Sequence, residues 1–175
     1  MTIWITSDTH FGHENIIRYE NRPFLSVDEM DESLVTRWNS VVKPGDLVYH
    51  IGDFGMGPKE KLVTIRKRLN GSITLVRGNH DHSITSIMEL GFNSIANEVK
   101  LQYKQWQFHM THIPQADLLY DEMNHNFINI HGHIHGKNRA TRNRINVSCD
   151  AWDYTPITLE DAMMEYRKQR KPNYD

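Results

Sequence analysis

Cysteine is nearly missing from this chain: Cys149 is the only one in 175 residues. That excludes an internal disulfide and suits a reducing compartment. Long apolar runs are missing as well, so no stretch approaches membrane-spanning length. Charge of one sign is in no excess, with a formal net charge of −2, so no global field argues for a nucleic-acid or membrane partner. The opening "MTIWITSDTH" lacks a basic region followed by an apolar stretch, so no signal peptide is expected and the chain reads as cytoplasmic. There is no repeat, low-complexity tract or internal linker, and the length suits one domain over 1–175. With 38% hydrophobic and 24% charged residues, the composition is that of a folded rather than a disordered chain. What the chain does have in excess is histidine, with eleven.

The first half alternates strand and helix patterns. "TIWITSD" and "DLVYHIGD" begin apolar and end in carboxylate, and "SITLVRGNHD" repeats the form. Between them, "SVDEMDESLVTRWNSVV" has apolar residues at three- and four-residue spacing, and Ser26 with Glu29 forms a capping box. "PKEKLVTIRKRLNG" is a second helix, with Pro58 near its start and Asn70-Gly71 ending it. "SITSIMELG" is a short third one. From Asn93 the pattern becomes mostly β: "SIANEVKLQY", "WQFHMTH", "NFINIHGHIH" and "RINVSCD" read as strands. A last amphipathic helix, "TLEDAMMEYRKQRK", has Thr158 as N-cap. Two packed sheets with helices outside follow from this order.

The strand ends carry the chemistry. Asp8 and His10, Asp53, Asn79, His112, and His133 with His135 each fall at a predicted strand end. Open α/β sheets collect ligands at the carboxyl ends of their strands. Residues two apart point to the same side of an extended strand, so D-x-H and H-x-H are expected to present paired ligands. Seven such groups exceed what one transition metal takes and fit two ions sharing a carboxylate. Imidazole and oxygen without thiolate suit Mn, Fe, Zn or Ni better than Mg or Ca. Two ions roughly 3.5–4 Å apart are a device for displacement at phosphorus, with an ion-bound water attacking. A single D-x-H or H-x-H would be a weak signal, and most lone histidines are structural. The set in this order is strong.

The series Asp8-Thr9-His10, Gly52-Asp53, Gly78-Asn79-His80-Asp81, His112 and Gly132-His133-Ile134-His135 resembles the motifs of the calcineurin-like metallophosphoesterases. "SDTHFGHENIIRY", "NRPF" and "VYHIGDF" look closest to their small single-domain bacterial and phage branch. The resemblance covers most of the chain and implies a four-layer α/β/β/α sandwich of two mixed sheets. It implies one ion on Asp8, His10, Asp53 and His135. The second would lie on Asp53, Asn79, His112 and His133, with Asp53 bridging and Mn the favoured metal. It also implies that His80 faces the phosphate and serves the leaving oxygen as acid or charge stabiliser. Gly78 and Asn79 are expected to supply the turn that aims Asn79 at metal and His80 at substrate. One departure stands out: Met56 occupies the place of the aspartate that orients this histidine in many relatives, leaving Asp81 or another carboxylate to substitute.

Other residues read two ways. His13, Arg18 and Arg22 are candidate phosphate contacts, while Arg18 and Arg22 also suit surface pairs with Glu14 or Glu20. His50 suits a core histidine equally well. Lys137, Arg139, Arg142 and Arg144 are either a phosphate-attracting loop or a solvated hairpin, the second being favoured. His109 and His125 read as surface residues, and Trp152 and Tyr154 as packing rather than stacking faces. The expected activity is hydrolysis of phosphomonoesters or phosphodiesters. Alternatives are a nuclease or cyclic-nucleotide phosphodiesterase, or a non-catalytic metal-bound interaction module. A phosphate ester, including a nucleotide, is the expected partner, with no membrane and no protein partner in evidence.

Overall fold

The computed structural model describes residues 1–81, 83–115, 126–141 and 143–170. The first sheet takes β1 (Ile3–Thr6), β2 (Leu47–His50), β3 (Ser72–Val76), β4 (Ser94–Ala96) and β10 (Ile157–Thr158) in the order β10-β1-β2-β3-β4. Its strands are parallel except for β10, which pairs antiparallel with β1. The second sheet orders β5 (Val99–Tyr103), β6 (Trp106–Met110), β7 (Phe127–His131), β9 (Arg144–Asn146) and β8 (Ala140–Thr141). Its three central strands β6, β7 and β9 are parallel and its edges antiparallel. The expected α/β fold of two mixed sheets with helices is the fold found.

Periodicity explains the helices. In α2 (Val27–Val41), Met30, Leu34 and Trp38 are buried along one stripe. Ser26 accepts from the Glu29 amide at 3.2 Å, while the Glu29 carboxylate reaches the amide of Leu25, one residue earlier than a capping box requires. Helix α3 (Lys59–Arg68) buries Leu62 and Ile65, and these join Val48, Ile73 and Leu75 in the core under the first sheet. The shorter α1 (Glu14–Tyr19) and α4 (Ile84–Met88) add Ile16 and Ile87 to it. A second core joins Ile5, Ile51 and Val76 to Phe108, Met110, Ile128 and Ile130 of the second sheet. It also takes in Leu159, Met163 and Tyr166 of α5 (Leu159–Arg170). Thr158 caps α5 as expected, accepting from the Asp161 amide at 3.0 Å. Among the described residues no helix is long and apolar enough to cross a membrane.

One strand expectation needs correction. "SIANEVKLQY" is two strands in different sheets, β4 and β5, separated at Asn97-Glu98. Continuous β propensity hid the crossing, because no glycine or proline marks it.

Candidate metal centre

The register of the parallel strands brings their C-terminal ends to one level. Thr6 pairs with His50, His50 with Leu75, and Met110 with Ile130. Just beyond each end comes an expected ligand: Asp8 after β1, Asp53 after β2, Asn79 after β3, His112 after β6 and His133 after β7. The two sheets are tied there by a bridge between Ser7 and Ser148 and by the Cys149 amide donating to the Ser7 carbonyl at 2.9 Å.

The paired ligands do not lie on extended strands, contrary to expectation. Asp8, His10, Asp53, His133 and His135 all sit in the left-handed region, at φ of 57°, 51°, 56°, 72° and 49°. Such backbone is uncommon outside glycine, and costs on the order of 1–3 kcal/mol where the surroundings must hold it. Here the chain turns sharply at each strand end, and that turn aims the side chains at one point. Gly78 has a different use from the one expected. It is not at positive φ; a Cβ there would collide with the Asp53 carboxylate and stand 2.5 Å from the Asp53 amide. Gly132 is likewise closed in by Ser7 and Asp8.

Each carboxylate is anchored more firmly through one oxygen than the other, and the His133 amide that holds Asp8 Oδ2 also reaches Oδ1 at 3.2 Å. Asp8 Oδ2 accepts from Ser7 Oγ, from Ser148 Oγ at 2.8 Å and from the His133 amide at 3.0 Å. That leaves Asp8 Oδ1 facing His10 Nε2 and His135 Nε2, each 4.0 Å away. Asp53 Oδ1 accepts from the His80 amide at 2.9 Å, and Asp53 Oδ2 lies 3.6 Å from His10 Nε2 and 3.3 Å from His112 Nε2. The imidazoles are anchored in the same way. His112 Nδ1 donates to the Ile51 carbonyl and His135 Nδ1 to Asp150, both at 2.9 Å, so their Nε2 atoms point inward. A second contact that fixes the ring and its tautomer is what metal-ligating histidines use. Asn79 Oδ1 stands 2.9 Å from His112 Nε2, and the His133 ring lies 5.2 Å from that of His112.

His10 tests whether these residues suit a cation. It is buried, and neither ring nitrogen has a hydrogen-bond partner among the described residues. Burial holds it neutral, pushing its pKa down to about 2, which keeps its lone pair available. Burial would lower His112 too, but the Asp53 and Asp8 carboxylates raise it to about 9. Burial works to raise Asp53, but the hydrogen bond and charge of His112 and the His80 amide bring it down to about 2. Burial raises the Asp8 carboxyl. Two buried carboxylates facing imidazoles thus demand positive charge, and a proton on His112 does there what a cation would do. Asp8, His10 and His135 form one group with the spacing to hold an ion, and Asp8, Asp53 and His112 form another. The donor set fits.

The remaining expected residues divide. His80 is exposed with its ring 5.8 Å from that of His10, and the His13 ring lies 5.6 Å from that of His10. Burial, then the nearby His80 charge, lowers the pKa of His13. Asp81 does not orient His80. Its carboxylate is taken by the amides of Asp53, Phe54 and Gly78 at 2.7–2.9 Å, which locks two ligand loops together. Arg18 is exposed in the last turn of α1. Arg22 is not a phosphate clamp: it is buried, and its fork is filled by both Asp150 oxygens and the carbonyls of Asp8 and Thr9. His50 is a core residue bonded to Thr9 Oγ1. His109 is buried rather than exposed, paired with Glu98 at 2.8 Å. Arg139 stacks on Trp152 and donates to the Ala151 carbonyl, and Tyr154 packs on Phe24, in keeping with structural readings of both. Arg142 and His125 lie outside the described residues.

Sequence reasoning missed Asp150, Ser7 and Ser148. Asp150 had a signal of its own: "RINVSCD" ends an apolar run in carboxylate, as "DLVYHIGD" does. The two serines had none, because a serine next to a ligand is too common to notice.

The chain is similar to several known proteins. Gene 66 protein of Mycobacterium phage L5 is 26% identical, covering 85% of this chain and 86% of that one. A protein of unknown function from Aquifex aeolicus, solved by crystallography, is 27% identical with a TM-score of 0.75, covering 93% of this chain and 98% of its own. An uncharacterized protein of Methanocaldococcus jannaschii is 34% identical, covering 90% of this chain and 87% of its own. The profile of the calcineurin-like phosphoesterase superfamily domain matches residues 1–148, and with the strand-end carboxylates and imidazoles now located, the chain belongs to that superfamily.

Proposed function

We propose that this protein is a dinuclear metal-dependent phosphoesterase hydrolysing phosphomonoesters or phosphodiesters. The observation that supports this most directly is His10, a buried neutral imidazole with both nitrogens unpartnered among the described residues and two carboxylates within 4.0 Å. Asp8, His10, Asp53 and His135 would hold one ion, and Asp53, Asn79, His112 and His133 the other. Asp53 Oδ2 lies between His10 and His112, which supports its place as the shared carboxylate. Mn²⁺ is the favoured metal, given four imidazoles in the set. When bound, such ions neutralise charge on the phosphoryl oxygens and lower the pKa of a coordinated water.

The chain's own residues do the rest. Ser7, Ser148 and the His133 amide fix the Asp8 carboxylate, so its less firmly held oxygen, Oδ1, faces the site. The His80 amide is fixed on Asp53, which sets the start of its side chain beside the centre while the ring stays open to substrate. His80 holds a proton for the leaving oxygen, and His13 and Arg18 contact the phosphoryl oxygens.

The test separates ligand from acid. Exhaustive chelation abolishes nitrophenyl phosphate ester hydrolysis, and Mn²⁺ restores it better than Mg²⁺. Asp53→Asn loses at least one ion. His80→Ala keeps its metal complement while kcat falls roughly 10²–10⁴-fold, and less for a nitrophenolate leaving group. Metal counting by mass spectrometry beside kinetics decides it. Loss of metal in His80→Ala with full retention in Asp53→Asn overturns the assignment.

A further inference from the structure

Two grooves open beside the metal centre and meet at Arg77 and Asn97. The first, of about 370 Å³, is lined by the expected ligands Asn79 and His112 together with Arg77, Asn97, Glu98 and Gln115. The second, of about 430 Å³, runs on from it and is lined by Arg77, Asn97, Ile84, Met88, Phe92 and Ile95. Arg77 and Asn97 belong to both, so the two form one path leading away from the centre.

Arg77 is placed to receive an anion. Its amide donates to the Ala96 carbonyl at 2.9 Å, which fixes its root between β3 and the Gly78-Asn79 turn. Its Nε is buried and has no hydrogen-bond partner among the described residues. Glu98, the acid in the same groove, is already paired with His109 at 2.8 Å and lies 3.5 Å from Lys100. Arg22 differs, since its fork is fully used inside the fold. A guanidinium lining both grooves, two residues from an expected metal ligand, suits a planar, bidentate anion. Past it the wall turns apolar: Ile84 and Met88 are 50% and 67% exposed, and Phe92 and Ile95 lie between them and the core. Large exposed apolar side chains lining a groove mark a place where an apolar surface binds.

We infer that this path holds one ester arm of a phosphodiester, and that the arm is itself a nucleotide. Its own phosphate sits on Arg77 and its base lies against Ile84, Met88 and Phe92, while the scissile phosphate occupies the metal centre. This rests on the phosphoesterase reading above and narrows its substrate class. Hydrolysis forms a bond from a water oxygen to the scissile phosphorus and breaks the bond to the arm's oxygen, which leaves as a hydroxyl with a proton that is ultimately the water's.

The test uses the Mn²⁺-loaded full chain on four substrates. These are bis(4-nitrophenyl) phosphate, a thymidine dinucleotide, the same dinucleotide with a terminal phosphate, and its phosphorylated abasic counterpart. The terminal phosphate raises kcat/KM about tenfold or more, the scale of one charge-assisted hydrogen bond. In Arg77→Gln that ratio falls to near one, and Arg77→Lys keeps part of it. Met88→Ser narrows the gap between the base-bearing and abasic arms. A wild-type ratio near one overturns the Arg77 subsite even if Arg77→Gln fails to fold, and so does an unchanged ratio in a folded Arg77→Gln. Equal rates for the abasic and base-bearing arms overturn the nucleotide assignment. Hydrolysis of bis(4-nitrophenyl) phosphate without any of these preferences leaves the parent reading standing. No hydrolysis of any ester removes both.

Discussion

Arg22 shows how a residue's neighbours in sequence can mislead. Glu14 and Glu20 lie close along the chain, and a surface ion pair or an exposed phosphate clamp was the natural expectation. Its partner is instead Asp150, 128 residues away, and no local pattern joins the two. The guanidinium spans both Asp150 oxygens at 2.8 and 2.9 Å and also holds the Asp8 and Thr9 carbonyls, while Asp150 holds His135. It therefore ties the turn bearing Asp8 and His10 to the ring of His135. Arg22→Ala leaves the Asp150 carboxylate with His135 but without its guanidinium, and breaking such a buried pair from one side costs up to about 3–5 kcal/mol. The expected outcome is a lower melting temperature and metal lost from the Asp8, His10 and His135 group. Arg22→Lys restores charge but not the fork, and falls between. Titration calorimetry with Mn²⁺ reads this directly: unchanged affinity in both variants would show that His135 needs no such support.

At the level of elements, what was legible was whatever repeated. β1, β2 and β3 each join an apolar run to a polar end, and α2 and α3 each present a stripe, so all five could be read. The edge strands β8 and β10 are two residues long, too short for any period, and they form only because a neighbour offers its edge. The candidate ligands could be named from the sequence, but their left-handed backbone could not. Alternation on an extended strand gave the right convergence for the wrong geometric reason. Gly78 is the sharpest case, because its sequence context suggests turn chemistry and its surroundings require close approach. Gly78→Ala pushes a methyl into the Asp53 carboxylate, and overpacking of that kind costs roughly 1–3 kcal/mol. Gly45 has nothing within 4 Å of an added Cβ. Gly45→Ala is therefore the control, changing stability by less than about 0.5 kcal/mol. Thermal unfolding compares them, and Gly78→Ala should also bind Mn²⁺ more weakly, since Asp53 is the carboxylate displaced. Equal melting temperatures for the two variants would contradict the packing seen around Asp53.

Across the whole molecule, the buried histidines set how stability responds to pH. Burial pushes His10 down to about 2, His50 to about 3 and His131 to about 4, so the folded chain keeps all three neutral at mildly acid pH. The unfolded chain takes up protons there from about pH 6.5, and stability falls as pH drops below that value. Each such group adds a slope of at most about 1.4 kcal/mol per pH unit. Asp53, held near 2, adds a contribution present above about pH 4 and lost as pH falls further. His112 runs the other way. Raised to about 9, it stabilises the chelated protein fully below about pH 6.5, and that contribution is lost as pH rises toward 9. The chelated protein should therefore melt at lower temperature on both sides of neutrality. A cation competes with the His112 proton, so Mn²⁺ binds more tightly as pH rises and stabilises the fold by mass action. Melting curves from pH 5 to pH 9, with chelator and with Mn²⁺, check both limbs. The expected result is a Mn²⁺-induced rise that grows with pH and removes the alkaline decline. A rise of the same size at every pH would mean that the ion does not displace a proton from His112, and would place it elsewhere.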